Sequence, residues 1–373
     1  MKTPTVCIDC SPLLLRSAGV KTYLYHWVRA LRAQSPESIR TFLAPADRGR
    51  LDHDGGPRMH PAKIAALVAL SRLPSFVSDI AVPRCDVFHV SSLLRRVPAR
   101  PRLSTTLHDL TAWILPECHM PENVAAEKEF AERVLRRASG IIADSESTKR
   151  DAIRILRIAP EKIRVVYLGV PPEYFSVPEE AVDRVRAAYK LARPYFLFVG
   201  TIEPRKNVDT LLAAWDGMSM SFRRENDLVI AGMAGWRAEA TMRRLLQAEG
   251  DESGIRYLNY VPEADLPGLT AGARAFVYPS LYEGFGIPVA QAMAAGCPVI
   301  TSNVSSLPEV AGDAALLIDP RSVSELRSAI SAIDESADFR IRLAAASRLR
   351  SQCFRWETAA AESLRYFADL ADK

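Results

Sequence analysis

Two adjacent cations, Arg205 and Lys206, sit in the run Gly200-Thr201-Ile202-Glu203-Pro204-Arg205-Lys206-Asn207, directly after the apolar run Tyr195 to Val199 and directly before a helical pattern starting at Val208. At a helix N-terminus the unpaired backbone N–H groups and the helix dipole already favour an anion, so two cations there predict a diphosphate site. A solvated loop whose Arg and Lys pair with acidic neighbours is the competing reading; the strand, glycine and helix around the pair favour the anion. A second loop, Pro279-Ser280-Leu281-Tyr282-Glu283-Gly284-Phe285-Gly286-Ile287-Pro288, also joins a strand pattern to a helical one. Gly284 and Gly286 permit close backbone approach, and Pro288 suits a first helical turn. Such a loop can offer N–H groups to a sugar or phosphate while Glu283 accepts from hydroxyls; otherwise it is a tight turn carrying a surface carboxylate. His108 follows the strand pattern Ser104 to Leu107, and alone a histidine there would more often be structural.

The elements that must position these residues alternate regularly. Short β-rich apolar runs at Thr5 to Asp9, Thr41 to Ala44, Asp86 to Val90, Ser104 to Leu107, Gly140 to Asp144 and Ile163 to Tyr167 alternate with helical patterns, notably Lys21 to Ala33, Asn123 to Ala138 and Ser147 to Leu156. From Tyr195 the pattern restarts, with strands at Leu228 to Ala231, Ile255 to Tyr260, Ala275 to Tyr278, Pro298 to Thr301 and Ala315 to Ile318. This alternation predicts an α/β chain with parallel sheets. Open parallel sheets bind ligands beyond the carboxyl ends of their strands, where all three chemical segments lie. A final helix, Trp356 to Leu370, carries an apolar stripe of Ala360, Leu364 and Phe367 and is expected to pack on the body. The expected divisions are 1–175, 176–355 and the helix 356–373.

The bulk numbers agree with two globular domains. A chain of 373 residues, 48% hydrophobic and 25% charged, is too long for one ordinary core and is not disordered or fibrous. Its longest early apolar stretch, Lys63 to Leu73, falls short of the roughly 20 residues a spanning helix needs. The start MKTPTVCIDC lacks the pattern of a signal peptide, so a cytoplasmic location is expected. Six cysteines do not form a dense secreted framework; Cys7 and Cys10, three apart on an expected strand, should point to opposite faces and not hold a metal. The net charge of +4 is uneven, with 26 Lys+Arg against 18 Asp+Glu in residues 1–176 and 22 against 26 in 177–373. A basic first half with no aromatic interleaving argues against nucleic acid and for peripheral contact with the inner membrane face, or for a solvated face with no partner.

With these segments assembled, the chain resembles the large retaining glycosyltransferase family 4, of the two-domain GT-B fold. Glu283 to position 291 matches its E-x7-E motif, Gly200 to Asn207 its G-x-x-x-x-R-K-N, and Ser306 to Asp313 (SLPEVAGD) a downstream motif. Gly19 to Tyr23 is similar to the family's glycine-rich first loop and His108-Asp109-Leu110 to its H-D-L. The resemblance covers nearly the whole chain. It departs twice: Gln291 replaces the second glutamate, and Ala18-Gly19 stands where a double glycine is common.

The resemblance implies two Rossmann-like domains with parallel sheets facing across a cleft, the first binding acceptor and the second a nucleotide sugar. It also implies roles. Arg205 and Lys206 would neutralise the diphosphate as the glycosidic bond breaks. Glu283 would hold donor-sugar hydroxyls, helped by the backbone of Gly284, Phe285 and Gly286, with Gly200 in the phosphate loop. Gln291 would face the ribose, and Tyr260 and Val261 the base. His108 would bond a sugar hydroxyl near the anomeric carbon, Asp109 would brace its loop, and Gly19 would let the first loop reach the phosphates or the acceptor. The family retains anomeric configuration with the leaving phosphate taking the acceptor's proton, so no carboxylate nucleophile is expected.

No metal and no cofactor is expected beyond the donor itself. The one Asp-x-Asp, Asp52-His53-Asp54, lies in a polar, Gly-rich stretch with no apolar strand before it. H-D-L followed by Pro116-Glu117 resembles bacterial mannosyltransferases of surface polysaccharide assembly, which points to GDP-mannose ahead of UDP-hexoses and to a saccharide or lipid-linked saccharide acceptor. The alternatives are a UDP-glucose-specific transferase, an epimerase or phosphorylase of the same fold, and a non-catalytic nucleotide-sugar-binding subunit, which only Gln291 encourages. A nicotinamide oxidoreductase would need a G-x-G-x-x-G after the first strand, and none is there.

Overall fold

A computed structural model describes residues 4–14, 19–44, 61–72, 75–91, 93–94, 96–250 and 252–372. The chain divides into two compact units: Met1–Trp113 with Pro121–Gly169 and Phe354–Lys373, and Ile114–Met120 with Val170–Cys353. The short segment Ile114–Met120 thus belongs with the second half and the final helix with the first.

Among its described residues the first unit builds a six-stranded parallel sheet from β1 (Val6–Asp9), β2 (Ile39–Phe42), β3 (Val87–Val90), β4 (Arg102–Leu107), β5 (Gly140–Ala143) and β6 (Ile163–Val165). Their order is β2-β1-β3-β4-β5-β6. Strands β1, β3 and β5 are buried along their whole length, as expected where helices cover both faces of a parallel sheet. The expected strand Thr41 to Ala44 is observed two residues earlier. Pairing of Val6 with Ile39 sets that register, and Leu43 leaves it with φ 51°. The helix expected over Asn123 to Ala138 is an α-helix at Pro121–Arg133 followed by a 3₁₀ turn at Leu135–Arg137.

The last helix, Trp356–Asp372, packs against the first, Gly19–Gln34. Trp27 Nε1 donates to Ser363 Oγ at 3.0 Å, and Tyr366 OH lies 3.1 Å from Ser104 Oγ on β4. Gly140 permits that approach, since a Cβ there would come within 2.3 Å of Tyr366 OH.

The second unit repeats the design with β7 (Tyr195–Val199), β8 (Asp227–Ala231), β9 (Ile255–Asn259), β10 (Ala275–Tyr278), β11 (Val299–Ser302) and β12 (Leu316–Ile318), all parallel, in the order β12-β11-β10-β7-β8-β9. The chain runs outward from β7 to β9 and restarts at β10 on the other flank of β7. That reversal makes the carboxyl ends of β7 and β10 a topological switch point, the place where open parallel sheets bind ligands.

Candidate active site

The loops leaving β7 and β10 are the two chemical segments read from the sequence. After β7 the chain makes a 3₁₀ turn, Pro204–Lys206, and enters the helix Val208–Asp216 through Asn207, whose left-handed φ of 59° reverses the path. Asn207 Nδ2 donates to the carbonyls of Pro279 at 3.0 Å and Pro320 at 2.7 Å, so one amide ties the β7 loop to the β10 loop. Leu281 N adds a bond to Arg205 O at 2.8 Å.

These ties bring Arg205, Lys206 and Glu283 together. Arg205 Nη1 lies 2.7 Å from Glu283 Oε2, and its Nη2 donates to Glu203 Oε1 at 2.7 Å. Lys206 Nζ donates to Glu283 Oε1 and to Tyr278 OH, each at 2.6 Å, and Ser280 Oγ donates to Glu283 Oε1 at 2.6 Å. Lys206, Glu203 and Glu283 are buried. Two cations face two carboxylates, so the cluster is charge-balanced. The competing sequence reading was therefore right about acidic partners and wrong about solvent: the pairing is internal.

Burial alone would lift the Glu283 pKa, but Arg205 and then Lys206 overcome it and hold the carboxyl at about 2. For Lys206, burial and the neighbouring Arg205 lower the pKa further than Glu283 and Glu203 raise it. A phosphate arriving here would meet cations already largely desolvated, which strengthens their field.

Gly286 starts the helix Ile287–Ala294 in a left-handed conformation, φ 101°, and a Cβ on it would come within 2.7 Å of Leu307 Cδ2. Both facts require glycine. Ser306 Oγ lies 2.9 Å from Glu283 O and 2.8 Å from Phe285 O, and Ser305 Oγ accepts from Glu283 N at 2.9 Å. Ser306, first residue of the SLPEVAGD stretch, and Ser305 just before it thus clamp the loop that carries Glu283. Gly284 and Phe285 are buried in that loop, and Gln291 is half-buried on the helix behind it. Gly200 caps β7 and packs tightly on Gly232, where a Cβ would meet Gly200 O at 1.9 Å. Past β9, Tyr260 is 43% exposed whereas Val261 is buried.

The first unit holds a separate cluster beyond β4 and β5. Leu107 pairs with Ala143, so the next residues along each strand, His108 and Asp144, lie side by side. His108 Nδ1 is 2.7 Å from Asp144 Oδ2, and the ring of Tyr23 stands edge-on to the imidazole at 4.9 Å. Burial works to lower the His108 pKa, and the Asp144 carboxylate, together with Asp109 and Glu127, outweighs it, leaving the pKa raised. Asp109 Oδ1 accepts from Thr111 N at 2.9 Å, which braces the loop. Gly19 begins the first helix exposed, and among the described residues nothing lies within 4 Å of a Cβ placed on it.

Asp144, Glu203, Ser280 and Tyr278 were not singled out from the sequence. Only the placement of Asp144 directly after a strand, like that of His108, could have flagged it. Cys7 and Cys10 are both buried, Cys10 just past the end of β1, and neither belongs to a metal-ligand cluster among the described residues. Asp52, His53 and Asp54 lie outside the described residues.

Residues 17–174 match the family described as Glycosyltransferase Family 4, and residues 181–350 match Glycosyl transferases group 1. The O-antigen chain mannosyltransferase B of Escherichia coli is 35% identical over 267 residues, 71% of this chain and 70% of that protein. The chain belongs to glycosyltransferase family 4. The serotype-specific mannosyltransferase WbdA of Escherichia coli is 29% identical over 343 residues, which cover 89% of this chain but 41% of WbdA, so the chain spans less than half of that relative. Sucrose-phosphate synthase from Thermosynechococcus elongatus shares the fold, with TM-score 0.75, 20% identity and 98% of each chain covered. This family 4 member is thus a hexosyltransferase of GT-B architecture, built on two parallel six-stranded sheets among the described residues.

Proposed function

We propose that the enzyme moves a hexose, mannose before others, from GDP-mannose to a saccharide or lipid-linked saccharide, with retention of anomeric configuration and without a metal ion. The observation that carries this reading is the buried Arg205–Lys206–Glu283 cluster at the switch point of the second sheet. Arg205 and Lys206 bind the diphosphate and take up the negative charge that grows on it as the C1–O bond breaks. Glu283 then exchanges part of its ion pairing for sugar hydroxyls, with the N–H groups of the Gly284–Gly286 turn beside it. Gln291 bonds the ribose, Tyr260 and Val261 lie against the base, and His108 bonds a hydroxyl of the transferred sugar. As the acceptor oxygen bonds to C1, its proton passes to the departing phosphate, so no protein base is needed.

The mannose assignment is supported by the mannosyltransferase relatives. The acceptor and the cytoplasmic membrane face are supported by the O-antigen role in the first relative's name and by the basic first half. Among the described residues no helix is long and apolar enough to cross a membrane.

Calorimetric titration with GDP, UDP and ADP in excess chelator tests the reading, on wild type and on the Arg205→Ala, Lys206→Ala double variant. One nucleotide should bind tightly to wild type and at least about 100-fold more weakly to the variant, as expected when two charge-assisted contacts are lost. Transfer abolished by chelator would refute the metal-free mechanism. Binding of no nucleotide would favour a non-catalytic relative, a second reading to which Gln291 points.

A further inference from the structure

Three features of the first unit converge on one carboxylate that no motif marks. First, the register of β4 on β5 sets Asp144 beside His108, and the 2.7 Å contact runs from Asp144 Oδ2 to Nδ1 of the ring. Second, the Asp144 side chain is 4% exposed while that of His108 is 28% exposed, so the bonded end of the imidazole is buried and the ring still reaches solvent. Third, Asp144 Oδ1 is buried with no hydrogen-bond partner among the described residues. A half-satisfied buried carboxylate costs stability, and its presence calls for a reason.

We propose that Asp144 is the positioning residue for His108: it holds the proton on Nδ1 and presents Nε2 as an acceptor to a hydroxyl of the transferred sugar. This rests on the reading of His108 as a sugar contact. The histidine's tautomer is set by the bond its other nitrogen makes, and here the carboxylate sets it.

The surroundings make the arrangement rigid. Ser145, next in the chain, caps the helix Glu146–Leu156 by accepting from Thr148 N at 3.0 Å, and Thr148 Oγ1 donates to His108 O at 3.3 Å. One helix start therefore fixes both partners. On another side of the ring Tyr23 is itself fixed, its hydroxyl 3.0 Å from Thr106 Oγ1, which in turn lies 3.1 Å from His89 Nε2. Burial, then His108, pushes the His89 pKa down to about 3, so His89 is neutral and adds no charge against His108. The other charged groups acting on His108 are Asp109, already engaged with Thr111 N, and Glu127 on the helix Pro121–Arg133.

Below its pKa the His108 ring carries a proton on Nε2 and cannot accept, so turnover should fall on the acid side with the ring's own titration. The test follows that titration by NMR in wild type, Asp144→Asn and Asp144→Glu, alongside steady-state turnover of GDP-mannose. Asp144→Asn keeps an oxygen for Nδ1–H and removes the charge. Its His108 transition and the acid limb of kcat should both move to lower pH, and kcat should fall about tenfold or more. KM for GDP-mannose should change by less than about twofold. Asp144→Glu should restore part of kcat, and it carries the test if the Asn variant fails to fold. An unshifted ring titration in a folded variant, or wild-type kcat with Asp144→Asn, overturns the proposal. Full turnover by His108→Ala would instead remove the reading beneath it, while leaving the titration difference in place.

Discussion

The cluster beyond β7 and β10 and the pair beyond β4 and β5 are both built from charged side chains at the carboxyl ends of parallel strands, yet they solve opposite problems. In the second unit Arg205 and Lys206 answer Glu203 and Glu283 charge for charge, and Ser280 and Tyr278 satisfy further oxygens and protons. In the first unit one carboxylate meets one histidine and, among the described residues, keeps an unsatisfied buried oxygen. The balanced cluster holds the Glu283 carboxyl at about 2, far from neutrality, whereas the pKa of His108 is raised above the ordinary histidine value of 6.5. The cluster is saturated internally, and the pair leaves one end of the imidazole open to solvent.

Glu283→Gln should have the largest effect that separates the two. It removes the carboxylate shared by Arg205 and Lys206 and the proposed sugar contact, so kcat should drop about 100-fold, and the excess positive charge left in the buried cluster should lower stability by about 3–5 kcal/mol. Free nucleotide should bind at least as well as before, because two cations then face only Glu203. A Glu283→Gln enzyme with full activity would show that this carboxylate does not hold the sugar.

The pH dependence of stability should differ in sign. Glu283, depressed on folding, contributes stability that is present above its ordinary 4.5 and lost as pH falls through about 2. His108, raised on folding, contributes stability present below 6.5 and lost as pH rises through its folded value. Thermal unfolding across pH should therefore show the Glu283→Gln penalty shrinking in strong acid and a His108→Asn penalty shrinking above neutrality. A Glu283→Gln penalty undiminished near pH 2 would mean that packing, not ion pairing, holds the cluster.

The smallest expected change is a gain. Gln291→Glu restores the second glutamate of the motif on a half-buried helix face, and a charge-assisted bond to a ribose diol should tighten nucleotide binding by about fivefold, roughly 1 kcal/mol. Unchanged affinity would place Gln291 away from the ribose.

Most of this architecture was legible in the residues. Tyr195 to Val199 is apolar throughout because both faces of β7 are covered, and that run announced the strand whose end carries Gly200 and the cations. Arg205, Lys206, Glu283, Gly286 and the Ser306 clamp each sit in a strand-to-helix loop whose signals are only a few residues long. The shift of β2 and the break after Arg133 were not legible, since inter-strand register and tertiary packing decide them and local periodicity does not.

The sequence by itself determined which segments become strands, which loops leave their carboxyl ends, and that two cations and one carboxylate stand in two of those loops, because apolar periodicity, glycine and proline act over a few residues. Tertiary structure decided who meets whom. Asp109 adjoins His108 in the chain yet braces a turn, while Asp144, 36 residues away, holds the ring because β4 pairs with β5. Glu283 reaches Lys206 across 77 residues because β10 restarts the sheet beside β7. Pairing between distant strands is fixed by how whole sheets bury their faces, and no local pattern records it.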